Sequence, residues 1–166
     1  RGDRHFASVE DERLAGYREG LRRARQPVDE SLIRLGIYYN IADGGSGIEG
    51  YRHMKALLAL PERPTAIFAT CDILAAGALQ AIYEEGLRVP HDLSIIGFDD
   101  TLAVNLAPQL TTVAQPMEEL GRLGFRTALE AIEGKSVPKS TVLSTRLIVR
   151  RSAGPAPHLK SPTDGN

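Results

Sequence analysis

The sequence has a single cysteine, Cys71, so no disulfide can close within the chain and no cysteine-built zinc site can form. A stapled secreted scaffold is excluded. No run of 18 apolar residues occurs, which leaves no candidate membrane helix. Charge of one sign is also missing: Lys and Arg total 20 and Asp and Glu 21, for a net charge of −1. The chain as a whole is therefore not a polycation built for nucleic acid. The opening segment, RGDRHFASVEDER, has no apolar core of a signal peptide and starts with Arg rather than Met, so a processed or truncated chain is expected. His5, His53, His91 and His158 show no metal-ligand spacing, and no GxSxG is present. There is no internal repeat and no long block of like charge. With no catalytic constellation, neither an enzyme nor a cofactor is expected.

What is present is ordinary for a globular protein. The chain has 166 residues, of which 42% are hydrophobic and 25% charged. That is about one domain, or a large part of a two-lobed protein. Helix and strand signals alternate. Leu14 to Arg25 has helical periodicity, with Leu14, Tyr17, Gly20, Leu21 and Ala24 on one face and Pro27 as the stop. Leu32 to Tyr39 is rich in β-formers and reads as a strand. Ser46 is a suitable cap for a helix from Gly47 to Leu60. Pro61 and Pro64 bracket a turn. Thr65 to Thr70 and Leu93 to Phe98 are short apolar runs of the kind found in buried parallel strands. Between them Asp72 is suited to cap a helix through Glu85, with Gly86 as its stop. This order predicts an α/β fold with a doubly wound parallel sheet. Farther on, Leu110 to Ala114 reads as extended. Pro116 fits the first turn of a helix reaching about Glu133 and ended by Gly134. Thr141 to Arg150 reads as a strand, and Gly154 to Asn166 as a flexible tail.

The helix after Asp72 is apolar nearly all round, from Ile73 through Leu74, Ala75, Ala76, Ala78, Leu79 and Ala81 to Ile82. Covering one face of a sheet takes a single apolar stripe. The second face calls for another partner: a second subunit is expected, and a third layer within the chain is the alternative.

In open parallel sheets ligands bind beyond the carboxyl ends of the strands. That places Asn40 to Gly47, Cys71 with Asp72, and Asp99 with Asp100 and Thr101 at one face. Adjacent carboxylates after a strand can accept several hydroxyl hydrogen bonds, which suits a polyol. Asp100 more simply caps the segment that follows. Gly45, Gly47 and Gly50 form a GxGxxG match, with Asp72 as the ribose acid of a dinucleotide site. Five residues separate the strand from the first of these glycines, and Asp43 would set negative charge beside a pyrophosphate, so a glycine-rich turn is the better reading. Cys71 reads as a small buried residue, and Arg22, Arg23 and Arg25 as a solvated helix face.

The run PTAIFATCDILAAGALQAIYEEGLRVPHDLSIIGFDDT, followed by LTTVAQPMEELGRLGF, resembles the lactose/galactose repressor family of bacterial transcription regulators. ERLAGYREGL near the start and TRLIVRRS near the end fit the same family. The resemblance spans about Glu10 to Ser152. It implies a core like the type I periplasmic sugar-binding proteins, two-lobed, with a sugar or related metabolite held between the lobes. Residues 1–114 would form the C-terminal lobe. Residues 115–153 would be the crossover helix and terminal strand of an incomplete second lobe, and 154–166 the tail.

The family contacts carry over to Arg13, which would hold effector hydroxyls, to Asp99 as their main acceptor, and to Gln115 at the crossover. Cys71 stands where an Asn is common, with Asp72 following, and Gly44 and Gly45 stand where a stacking aromatic often lies. Both departures weigh against a simple pyranose. The resemblance also implies a homodimer through Ile73, Leu74, Ala76, Gly77, Leu79 and Gln80, joined by Leu102. Operator DNA would be met only through an N-terminal domain absent from this chain, in a cytoplasmic protein without a membrane partner. The mechanism implied is linkage, typically about 1–3 kcal/mol and reciprocal between effector and DNA. The alternative that shares this fold is a periplasmic sugar-binding protein of an uptake system.

Overall fold

The computed structural model describes residues 9–35 and 46–156. Its elements in order are helix α1 (Val9–Arg23), α2 (Ser46–Leu58), strand β1 (Ala66–Phe68), α3 (Asp72–Glu84), β2 (Ser94–Asp99), β3 (Thr111–Ala114), α4 (Met117–Ile132) and β4 (Arg146–Ile148). The strands form one sheet in the order β1-β2-β3-β4. β1 pairs with β2 and β2 with β3 in parallel, while β4 runs antiparallel to β3. The parallel part is the α/β architecture expected from the alternating pattern.

The two apolar runs become β1 and β2, and Gly86 and Gly134 end their helices with φ of +71° and +77°. A left-handed residue just past a helix is where glycine carries no Cβ penalty. Three local expectations change. Asp72 is the first helical residue of α3 and not its cap; Cys71 holds the cap position, with no side-chain cap bond. The start of the expected strand at Leu32 is a 3-10 turn over Glu30–Leu32, capped by Asp29, whose Oδ1 accepts from the Ser31 N–H at 2.8 Å. Residues 36–39 of that strand lie outside the described residues. So do Asn40 to Gly45 of the first strand-end site, and residues 157–166 of the expected tail. Gly154, where that tail was to begin, is tied to the chain: its N–H donates to Ser94 Oγ at 3.1 Å.

The core lies between α2, α3 and the sheet. Met54 and Leu57 come from α2, Ala78, Leu79 and Ile82 from α3, Ile95 from β2 and Leu93 from just before it. α2 and α3 approach so closely that a Cβ on Gly77 would stand 1.8 Å from the Gly47 carbonyl oxygen. A Cβ on Gly50 would stand 2.1 Å from that of Leu74. The two glycines of the GxGxxG match that fall in the described residues, Gly47 and Gly50, thus lie in α2, and Gly50 serves helix packing rather than a pyrophosphate.

This contact also corrects the dimer expectation for α3. The second apolar face of α3 is covered by α2 of the same chain. Gly77 is buried in that contact, and Leu79 is 3% exposed within the core. Neither is available to a second subunit. Ile73, Gln80 and Leu102 remain exposed, and Leu74 and Ala76 half-buried.

α4 is different in kind. It has no buried residue, and Leu120, Phe125, Leu129 and Ile132 all stand exposed along it.

Candidate functional site

Three residues that are far apart in sequence meet at the carboxyl end of the sheet. Asp99 is the last residue of β2, Gln115 follows β3, and Arg13 reaches over from α1. Gln115 Nε2 donates to Asp99 Oδ1 at 2.6 Å. Arg13 Nη2 lies 3.4 Å from the same oxygen. The parallel pairing of β2 with β3, with Asp99 opposite Ala114, is what sets Gln115 beside Asp99.

Arg13 is fixed from three sides. Its Nη1 donates to the Thr70 carbonyl at 2.5 Å, its Nη2 faces Asp99, and its guanidinium sits 4.1 Å from the centroid of the Phe98 ring. A planar, permanently charged fork is suited to such a position. The Arg13 and Asp99 side chains are each 16% exposed, so the pair is sheltered yet reachable. Burial raises the Asp99 pKa above its ordinary value; the Gln115 hydrogen bond and the Arg13 charge pull it back down, and the nearby Asp72 adds a small upward push. Tyr17, Phe68, Phe98, Val113 and Leu147 line an open groove beside Arg13 and Gln115.

The other expected site residues are placed differently. Cys71 and Asp72 are each 1% exposed. The Asp72 carboxylate is committed inside the fold. Its Oδ2 accepts from the Thr101 N–H at 2.8 Å and the Leu102 N–H at 3.2 Å, and its Oδ1 from Thr112 Oγ1 at 2.7 Å. Asp72 therefore ties the start of α3 to the loop after β2 and to β3. Asp100 does not act as a cap: its Oδ1 lies 2.7 Å from Arg150 Nη1.

Thr70, Phe98 and Arg150 were missed in the sequence. Phe98 stood in a strand that was recognised, and its ring is set beside Arg13 by the strand end. No spacing signal joins Arg150 to Asp100, which lies on a different strand's exit.

Chemically the cluster offers a carboxylate acceptor beside a guanidinium donor and an amide that can both give and accept. Such a set has the chemistry to bind vicinal hydroxyls or an equivalent polar edge with charge-assisted hydrogen bonds, the stronger kind. Among the described residues there is no group of three or more His, Cys, Asp or Glu placed to hold a metal ion, and no helix long and apolar enough to cross a membrane.

The model of the periplasmic binding protein-like domain matches residues 1–153. The chain is similar to the HTH-type transcriptional regulator DegA of Bacillus subtilis (strain 168), 41% identical over 148 residues, covering 88% of this chain and 42% of that protein. It is 42% identical over 147 residues to the HTH-type transcriptional repressor PurR of Escherichia coli O139:H28 (strain E24377A / ETEC), covering 87% and 41%. It spans about two-fifths of the length of these relatives. Among solved structures, the transcriptional regulator CelR–cellobiose complex superposes with a TM-score of 0.76 at 36% identity, over 86% of this chain and 42% of that one. The dimeric Lac repressor with an 11-residue C-terminal deletion superposes at 0.75 and 31% identity, over 87% and 50%.

Proposed function

The chain belongs to the periplasmic-binding-protein-like family, among the lactose-repressor-type regulators, and on that premise we propose that it is the effector-binding and dimerising part of a bacterial DNA-binding transcription regulator. The observation that carries the reading is the Arg13–Asp99–Gln115 cluster at the carboxyl end of the sheet. A hydroxyl-rich metabolite bound there accepts from Arg13 and donates to Asp99. Binding then favours one arrangement of the core and shifts operator affinity through it. Relatives at 41–42% identity carry regulator names, which favours this reading over an uptake protein of the same fold. A sugar is the effector class we favour, since one neighbouring structure is that of the regulator CelR in complex with cellobiose. The apolar face of α4 suits a position against the other lobe of the intact protein, with residues 115–153 as the crossover and terminal strand.

Asp99→Ala in the intact regulator is expected to weaken effector binding about 10- to 100-fold, because one hydrogen bond to a charged group is worth about 1.5–3 kcal/mol. A thermal-shift screen of mono- and disaccharides finds the effector, and calorimetry compares the two proteins. Unchanged affinity in the variant would remove Asp99 from the site.

For the dimer we propose the reduced face left after α2 has covered its share: Ile73, Leu74, Ala76 and Gln80 with Leu102. Ile73 is 41% and Leu102 36% exposed, and Val104 beside them is 53% exposed. Introducing Ile73→Asp and Leu102→Asp together is expected to raise the dimer dissociation constant at least about tenfold without unfolding the chain, because two charges would be desolvated at the contact. Sedimentation velocity across a concentration series reads this directly. Identical profiles for the two proteins would exclude the face.

A further inference from the structure

The turn that carries Asp99 is held from its far side. Asp99 and Asp100 have φ of +103° and +60°, two successive non-glycine residues in backbone that L-residues seldom adopt. Such backbone persists only where its surroundings over-determine it, and it gathers at functional sites. Here two groups supply the constraint. Arg150 Nη1 lies 2.7 Å from Asp100 Oδ1 as an ion pair without hydrogen-bond alignment, with the two side chains 15% and 22% exposed. The same nitrogen donates to the Leu110 carbonyl at 2.9 Å, and the Arg150 N–H donates to Thr111 Oγ1 at 2.9 Å. Arg150 is thus anchored to the start of β3 at two points before it reaches Asp100. Asp72 holds the next two residues, through the Thr101 and Leu102 N–H groups. Residues 100, 101 and 102 are all tied down immediately after Asp99. Among the described residues, Arg150 makes no hydrogen bond or ion pair to Arg13, Asp99 or Gln115.

We infer that Arg150 is a positioning residue for Asp99: acting through Asp100, it holds the turn so that the Asp99 carboxylate stays where Arg13 and Gln115 meet it. Its consequence for effector binding rests on the function proposed above; the positioning itself does not. A single nitrogen, Nη1, meets both Asp100 and the Leu110 carbonyl, so the ammonium of a lysine can supply the charge and serve both acceptors.

The test is the titration of Asp99 by carboxyl-carbon NMR on the full chain, for the wild type, Arg150→Gln and Arg150→Lys, with no ligand added. The sign separates the two roles Arg150 could have. If Arg150 were only a nearby cation, removing it would raise the Asp99 midpoint, since a lost positive charge disfavours the carboxylate. If Arg150 positions the turn, Arg150→Gln releases Asp99 from the sheltered place that holds its pKa up. Its midpoint then falls toward the ordinary aspartate value. We expect that fall, a largely wild-type midpoint in Arg150→Lys, and no change at Asp92, which its own Arg88 partner holds down at about 2. An unchanged or raised Asp99 midpoint in a folded Arg150→Gln chain overturns the inference. Should that variant not fold, Arg150→Met, which keeps the buried alkyl stem without adding a buried amide, is read the same way. Unfolding of both would make Arg150 a residue of the fold alone and would equally overturn it. Because no effector enters the measurement, its failure is distinct from failure of the effector reading, which the Asp99→Ala binding comparison decides.

Discussion

Replacing Gly77 with alanine is expected to destabilise the chain by about 3 kcal/mol, read as a lower urea midpoint at unchanged slope. The added Cβ would stand 1.8 Å from the Gly47 carbonyl oxygen and 2.9 Å from the Tyr51 backbone nitrogen. These are backbone atoms of a packed helix, so no side chain can rotate away to relieve the contact. α2 and α3 have to separate, and the seam between Met54, Leu57, Ala78 and Ile82 opens with them. Overpacking usually costs about 1–3 kcal/mol, and more where the obstacle is rigid. Alanine returns up to about 1 kcal/mol through its better helix propensity, which leaves the net loss near the figure given. Gly121→Ala in α4 is the control: nothing lies within 4 Å of its Cβ, so only the propensity gain remains. Opposite signs for the two substitutions are the expected result. Equal and small effects would mean that the two helices do not pack backbone to backbone.

That contact shows why part of the molecule was legible in the sequence and part was not. The apolarity of Ile73 to Ile82 correctly indicated that α3 needed cover on two sides. It carried no information on which partner supplied the second cover. The answer depends on Gly50 and Gly77, whose role is to be absent side chains, and a glycine inside a helix gives no signal of what approaches it. β1, β2, α4 and the glycine stops were legible because each rests on local period and local turn chemistry. The strand expected over Thr141 to Arg150 shortens to β4, Arg146–Ile148, because an alternating pattern in an exposed segment does not say how much of it pairs.

The candidate site divides along the same line. Arg13 and Asp99 are 86 residues apart, and nothing in composition or spacing joins them. The resemblance to a regulator family named the pair, and the parallel register of β2 and β3 brought Gln115 to it. Asp72 was misread because an acid ahead of an apolar helix is a common cap. Its true partners, Thr101 and Thr112, lie 29 and 40 residues away, beyond the reach of any local rule.

Asp72→Ala is expected to be the most damaging single substitution, at about 4 kcal/mol. The carboxylate is 1% exposed and satisfies the Thr101 and Leu102 N–H groups and the Thr112 hydroxyl. Alanine leaves these three donors without an acceptor. An unmade bond to a buried donor costs about 1–3 kcal/mol, and the three share one site, so their losses do not simply add. The fold has also made room for this carboxylate at the expense of another side chain. A Cβ on Gly97 would stand 2.5 Å from Asp72 Oδ1, so glycine in β2 is the condition for Asp72 to cross over the strand. Asp72→Asn keeps one oxygen in place but turns the other acceptor into a donor facing donors, and is expected to lose about 2 kcal/mol. Thr112→Val removes a single partner and should fall below both. The order Ala, Asn, Val in decreasing damage, measured by denaturant melts of the three variants, is the specific signature of a carboxylate that ties a helix start, a loop and a strand together. A loss under about 1 kcal/mol for Asp72→Ala would return Asp72 to the helix-cap role first read from the sequence. It would also remove the anchor that holds Thr101 and Leu102 behind the Asp99 turn.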